Sequence, residues 1–372
     1  VPPIRRSRHY GHLTRRQFLN AALGTASGVA LSSCGWTLAN VQTTVRTDPG
    51  LLYIYTWAGY TDNALLDSFY KETGVRVIAD VYSSNEEMLA KLQAGAGGAY
   101  SVIYPSDYML QKMVRLNMVQ ELDRARLVGL DRLFSKFKSP LYDPDNQYSL
   151  PLSWGTTGLV YNKNVISPAP KDWDYLWEHK DQLFRRMTLL NDPREVIGAA
   201  IKSLGYSYNT TNPDEIRQGY ERLVELKPAI ASFESDSWRS QILTGDLKIA
   251  MCYSADANEV AEENSDLIYT LPSSGSSIWT DTLAIPQTAP NTDAAYAWLN
   301  FMLEPEIAAK TCERLSFATP NKAAFQVLPQ EVQENSSLFP SEETLAQSEG
   351  LTPIPIEIEE LYDLYWTKLT SS

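Results

Sequence analysis

Between Leu51 and Tyr104 the chain alternates short apolar runs with amphipathic stretches, and this alternation restricts the fold more than any other feature. Residues 51–55 (LLYIY) form a continuous apolar run of strand length, which predicts a buried strand. Thr61 is expected to cap a helix over 62–72, because Leu65, Leu66, Phe69 and Tyr70 recur at helical spacing, and Gly74 ends it. A second strand is expected over 75–82. Ser84 with Glu87 forms a capping box for a helix running to Leu92. A third strand over 100–104 leads into the loop Pro105-Ser106-Asp107-Tyr108. Strand, helix, strand, helix, strand predicts a parallel α/β lobe whose ligand loops sit at the strand C-termini.

The remainder predicts a second lobe starting near Gly158. It holds a strand over 187–190, helices over 193–204 and 214–226, and a short strand over 248–253. A strand over 278–285 returns toward the first lobe, followed by a helix over 292–303 with Tyr296, Trp298, Leu299 and Met302 on its apolar side. One more amphipathic helix is expected over 356–369.

The first 34 residues carry a different kind of information. Arg15-Arg16 lie in the string TRRQFL, an apolar run covers 18–31, and Leu31-Ser32-Ser33-Cys34 follows. The twin arginine resembles a Tat export signal and the Leu-Ser-Ser-Cys resembles a bacterial lipobox. The apolar run of 14 residues contains Gly24, Thr25, Ser27 and Gly28, and it is shorter than the roughly 20 residues a spanning helix needs. Residues 1–33 are therefore expected to be a Tat-type lipoprotein signal, with cleavage before Cys34, lipid on its sulfur, and a periplasmic location at a membrane. Residues 34–49 then form a polar tether.

The chain beyond the signal, about 340 residues, exceeds what one core usually serves. Lobe 1 is expected to comprise 50–157 plus 281–326, and lobe 2 to comprise 158–280 plus 327–372. Of 32 basic and 45 acidic residues, five arginines precede Cys34, leaving 27 against 45. That acidity argues against nucleic acid as a partner and favours cationic ones through long-range attraction. His9 and His12 belong to the signal, so His179 alone is left to support a histidine triad or a multi-histidine zinc site. Cys252 and Cys312 read equally well as one disulfide or as two buried thiols. Neither a Walker loop nor a GxGxxG fingerprint occurs.

Aromatic residues and carboxylates gather at the predicted strand ends. Trp57 and Tyr60 follow the first strand, and Ser106 and Tyr108 follow the third. Trp279 and Asp281 are two apart, so a strand points both to one face. A π surface beside an anion suits a cation on an aliphatic stem, although a strand tryptophan more often packs in a core. Asp192-Pro193-Arg194-Glu195 reads first as a helix start: aspartate at N-cap, proline at N1 and glutamate at N3.

Taken in order and spacing, YTWAGY, SNEEMLAKL, NDPREV with KSLGYS, WTDTLAIP and ATPN (318–321) resemble the spermidine/putrescine-binding proteins of bacterial ABC importers, from about residue 51 to 368. The resemblance implies a two-lobed, class II periplasmic-binding-protein fold with a hinge and an interlobe cleft. Such a monomer closes on a polyamine and presents it to a membrane permease, with no cofactor, catalytic residue or metal. It also implies that Asp192, Glu195 and Asp281 hold ammonium groups, so Asp192 serves both as cap and as ligand carboxylate. The positive helix end makes that position less suited to a cation. Trp57, Tyr60, Ser106, Tyr108 and Trp279 are implied as the lining along the methylene chain.

Departures from the family pattern bear on specificity. Tyr253 stands where the spermidine binder has tryptophan, and Phe317 stands where a tyrosine is typical. Near Thr352 the family has glutamine, and Asp107 and Asp256 are extra acids. These changes leave the choice between spermidine and putrescine open. Paired carboxylates beside tryptophans also describe a glycoside hydrolase, and the same fold could serve another cationic amine, an amino acid or a metal ion. A sensory role is a further alternative.

Overall fold

The structure is a computed structural model that describes residues 48–95 and 98–371. The export segment, Cys34 and the tether before residue 48 lie outside the described residues. β1 (Leu51–Trp57), the helix Asn63–Thr73, β2 (Arg76–Tyr82), the helix Asn85–Gln93 and β3 (Val102–Ile103) follow one another as expected. β1 pairs in parallel with both β2 and β3.

Local chemistry moves several ends. Asp62, not Thr61, caps the first helix: its backbone is extended and its Oδ1 accepts from the Leu65 amide at 2.7 Å. Gly74 closes that helix with φ 71°, and its N–H reaches the Tyr70 carbonyl at 2.8 Å. Ser84 caps the second helix through the Glu87 amide at 3.1 Å. Glu87 turns back to Ser83, not Ser84, accepting from its amide at 2.9 Å and its hydroxyl at 2.6 Å. The expected loop 105–108 instead opens a helix, Asp107–Arg115, with Ser106 at its N-cap.

β4 (Ser149–Asn162) is the largest element that the sequence patterns do not predict. Thirteen of its 14 residues are buried, so both faces are covered and the period-2 alternation of a half-exposed strand is absent. Pro151, Gly155 and Gly158 further imitate turn signals. Beyond it lie β5 (Met187–Leu189), helices Pro193–Ser203 and Pro213–Leu226, β6 (Ile230–Phe233) and β7 (Ile249–Tyr253). The helix Ser254–Glu263, β8 (Leu267–Thr270), β9 (Ser277–Ala284), helices Thr292–Met302 and Pro305–Leu315, β10 (Glu349–Gly350) and the helix Ile356–Ser371 follow, with shorter helical segments between them.

The strand order is β2-β1-β3-β9-β4-β7-β5-β6, with β10 on β9 and β8 on β4. β4 changes partner along its length: residues Ser149 to Thr156 pair with β9, and Thr157 to Tyr161 pair with β7. Its two halves enter different cores. Leu150 packs with Leu52, Ile54, Phe69, Trp298 and Leu283, whereas Leu159 packs with Trp173, Ile197, Leu223, Met251 and Tyr362. Two α/β lobes thus share one long strand. Cys252 and Cys312 are free, buried thiols in separate apolar clusters, which decides the alternative that the sequence leaves open. Among the described residues no helix is long and apolar enough to cross a membrane.

Candidate functional site

β1, β3 and β9 deliver one carboxylate and its hydroxyl partners to a single point. Past the end of β1 the Tyr60 amide bonds to the Trp57 carbonyl at 3.3 Å. Gly59, at φ 81°, makes the turn that only glycine adopts freely. Tyr60 then donates its hydroxyl to Asp281 Oδ2, and Ser106 Oγ donates to Oδ1 at 2.7 Å. Ser106 is fixed in turn by Asn85, whose Nδ2 lies 3.1 Å from its Oγ and whose Oδ1 accepts from its amide at 3.2 Å. Asp281 is only 6% exposed. Burial lifts its carboxyl above the ordinary range, and the bonds from Tyr60, Ser106 and Ser153 act against that rise. The Phe317 ring covers Tyr60 at 5.6 Å between centroids.

A second carboxylate group stands at the N-terminus of the helix Pro193–Ser203. Asp192 Oδ1 accepts from the Arg194 amide at 2.9 Å and the Glu195 amide at 3.1 Å. The capping reading therefore holds for Asp192. Its Oδ2 is turned the other way, 3.4 Å from the Tyr253 hydroxyl. Glu195, at N3, does not turn back to the cap as a capping box would have it, because it is drawn toward β9 and β4. Its two oxygens lie 2.9 and 2.7 Å from Ser277 Oγ, which itself lies 2.9 Å from Thr157 Oγ1. Glu195 is 2% exposed. Burial raises its carboxyl first and the Asp192 carboxylate raises it further. Burial likewise raises Asp192, while the two capping amides and Arg194 oppose it.

Aromatic side chains are the other members of the candidate site. Trp279 pairs with Gly155 across β9 and β4, and a Cβ on Gly155 would fall 2.3 Å from the indole. The ring meets Tyr253 edge-on at 5.9 Å. Trp279 and Asp281, two apart on β9, face the same side as the sequence predicts. Trp57 packs on Tyr82 at 4.5 Å. The buried indole N–H groups of Trp57 and Trp279 have no hydrogen-bond partner among the described residues. The Tyr108 hydroxyl accepts from Asn85 Nδ2 at 3.1 Å and donates to Glu86 Oε1 at 3.1 Å. It is pushed far up by burial, then by the charges of Glu86 and Asp192.

The extra acids have separate fates. Asp256 is tied to Arg239, which also meets Asp236 and Glu259, so its charge is already balanced. Burial nevertheless pushes it up to about 6. Asp107 is 2% exposed and accepts from the Tyr108 amide at 2.7 Å. Burial raises it strongly, with Asp281 and Glu195 adding to the effect. Thr352 is joined through its main chain to Arg194 and Asn209, at 3.1 and 2.8 Å. Ser153, Thr157, Ser277, Asn85 and Glu86 escape the sequence reading. The first three are hydroxyls on β4 and β9, and small polar residues in buried strands give no periodic signal. Asn85 and Glu86 lie in SNEEM, where helix capping already accounts for the composition.

The profile of the bacterial extracellular solute-binding proteins matches residues 64–340. The spermidine/putrescine-binding periplasmic protein of Salmonella typhimurium is 36% identical over 326 residues, covering 87% of this chain and 92% of that one. The spermidine/putrescine-binding periplasmic protein 1 of Haemophilus influenzae is 35% identical over 358 residues, covering 95% and 99%. Among solved structures, the spermidine/putrescine ABC transporter substrate-binding protein PotD of Streptococcus pneumoniae superposes with a TM-score of 0.77 at 33% identity, covering 86% and 98%. The two-lobed α/β architecture is accordingly the class II arrangement of periplasmic binding proteins. The chain belongs to the bacterial extracellular solute-binding proteins.

Proposed function

We propose that this chain captures polyamines, spermidine or putrescine, between its lobes and delivers them to an ABC permease. One observation carries this reading. Asp281 at one point, and Asp192 with Glu195 at another, are carboxylates that form no ion pair among the described residues, with Trp57, Tyr108, Tyr253 and Trp279 as aromatic walls. Burial without a cation disfavours the charged form of Asp281 and Glu195, and the Asp192 carboxylate adds to this at Glu195. Ammonium groups joined by methylenes supply the missing charge and cover the rings. Each cation–aromatic contact contributes roughly 0.5–2 kcal/mol, and micromolar binding needs about −8 kcal/mol. Several contacts acting with the paired carboxylates reach that figure, whereas one does not.

In this reading the lobes are 50–157 plus 281–326 and 158–280 plus 327–372, meeting where β4 changes partner. Ligand contacts from both lobes favour the closed state, whose surface the permease reads, and no bond in the ligand is made or broken. The twin-arginine segment and Cys34 fit export followed by lipid anchoring, and the protein acts as a monomer. Calorimetric titration of the purified protein with putrescine, spermidine and spermine at two salt concentrations tests the assignment. One-to-one binding that weakens with salt is expected. No heat with any of the three amines refutes the polyamine reading.

A further inference from the structure

The side chain of Arg314 reaches back from the end of the helix Pro305–Leu315 to the loop after β1. Its Nη1 donates to the Gly59 carbonyl, its Nη2 donates to the Tyr60 carbonyl at 3.0 Å, and its Nε lies 3.2 Å from Asp62 Oδ2. One guanidinium therefore spans the whole turn between β1 and the helix Asn63–Thr73. Asp62 uses its other oxygen to cap that helix, so the clamp is anchored in secondary structure on both sides. The same segment supplies the other restraint on Tyr60, because Phe317, three residues after Arg314, packs on its ring. Gly59 at φ 81° cannot stiffen the turn by itself. Two carbonyls and a carboxylate converging on one fork are a task for arginine, since lysine is a point donor.

From this geometry we infer that Arg314 is a positioning residue for the Asp281 end of the site: it sets the place of Tyr60, and through the Tyr60 hydroxyl the orientation of the Asp281 carboxylate. The inference rests on the polyamine reading for its ligand but not for its mechanics. Among the described residues Arg314 forms no hydrogen bond, ion pair or ring contact with Asp281, Trp57, Tyr108, Tyr253 or Trp279, so its effect on binding passes through the loop.

The sign of the effect separates this role from simple electrostatics. Neutralising Arg314 makes an acidic protein more acidic, and long-range attraction alone then predicts tighter cation binding. Positioning predicts weaker binding. Arg314→Gln is expected to lower spermidine affinity by about tenfold, the scale of losing a charge-assisted bond, and Arg314→Lys to restore little of it. In a double-mutant cycle, the Arg314→Gln loss largely disappears in a Tyr60→Phe background but adds in full to Glu195→Gln at the other carboxylate group. Hydrogen exchange on the unliganded protein is expected to show faster exchange in the Arg314 variants confined to residues 58–62. Affinity within twofold of wild type, or full additivity with Tyr60→Phe, overturns the inference. If wild type binds no polyamine, the functional reading fails alone, and unchanged exchange at 58–62 then refutes the clamp by itself. If Arg314→Gln lowers overall stability, Arg314→Lys carries the same cycle with the charge kept.

Discussion

Glu195 and Asp281 bear the most specific consequences of the site, because their charge is disfavoured until a cation arrives. Burial and the neighbouring Asp192 carboxylate hold the Glu195 carboxyl above its ordinary 4.5. A bound ammonium opposes both causes and lowers it again, so binding releases a proton. Spermidine affinity is therefore expected to rise with pH from the ordinary carboxylate range upward, as long as the amine stays protonated. Calorimetry in buffers of different ionisation enthalpy reads the released proton, and Glu195→Gln is expected to reduce it, the remainder coming from Asp281 and Asp192, whose carboxyls burial also raises. The unliganded protein behaves oppositely. A carboxyl raised by folding contributes stability that is present below 4.5 and lost as pH rises through its folded value. Removing the charge altogether, by Asp281→Asn or Glu195→Gln, is expected to weaken binding at least tenfold, about 1.4 kcal/mol. Wild-type affinity in both variants would refute their assignment. The aromatic and acidic members of the candidate site were legible in the sequence because their types are chemically conspicuous. Ser153, Thr157 and Ser277 were not: a buried hydroxyl is identified as a site residue only when a carboxylate is seen 2.7 to 2.9 Å away, as at Ser277.

Elements with two duties allow the duties to be separated. Asp192 caps the helix Pro193–Ser203 with one oxygen and turns the other toward Tyr253. Asparagine caps as well as aspartate does, whereas alanine costs about 1 kcal/mol. Asp192→Asn is thus expected to keep the melting temperature of the unliganded protein while weakening polyamine binding, and Asp192→Ala to lower both. Equal losses of melting temperature in the two variants would show that the charge itself holds the helix. β4 makes a similar case through packing. The indole of Trp279 occupies the space that a side chain on Gly155 would need, at 2.3 Å from the position of its Cβ. Gly155→Ala must displace that ring, and overpacking of this kind typically costs 1–3 kcal/mol. β4 also shows the limit of pattern reading. The β-α-β-α-β start was legible from alternating apolar periods and from Gly74. The strand that joins the lobes was hidden because it is buried on both faces and carries Pro151 and two glycines.

The whole molecule adds a field that no single residue supplies. The chain carries a net charge of −13, and the candidate site concentrates Asp281, Asp192 and Glu195, with Glu86 beside Tyr108. A dication or trication approaching such a surface is drawn in from beyond contact distance, and salt suppresses that attraction over about 8 Å at physiological ionic strength. Once the ligand is enclosed by the walls and hydroxyls described above, the same salt reaches it poorly. Association and dissociation are therefore expected to respond differently: raising salt slows capture strongly and changes escape little. Trp57 and Trp279 belong to the candidate site, so stopped-flow tryptophan fluorescence is expected to read both rates on the unmodified protein. Putrescine, with fewer charges, is expected to show a shallower salt dependence of its association rate than spermine. If salt instead accelerates dissociation and leaves association unchanged, the ammonium groups remain solvated when bound, and the ligand rests on the surface of the cleft without being enclosed by the two lobes.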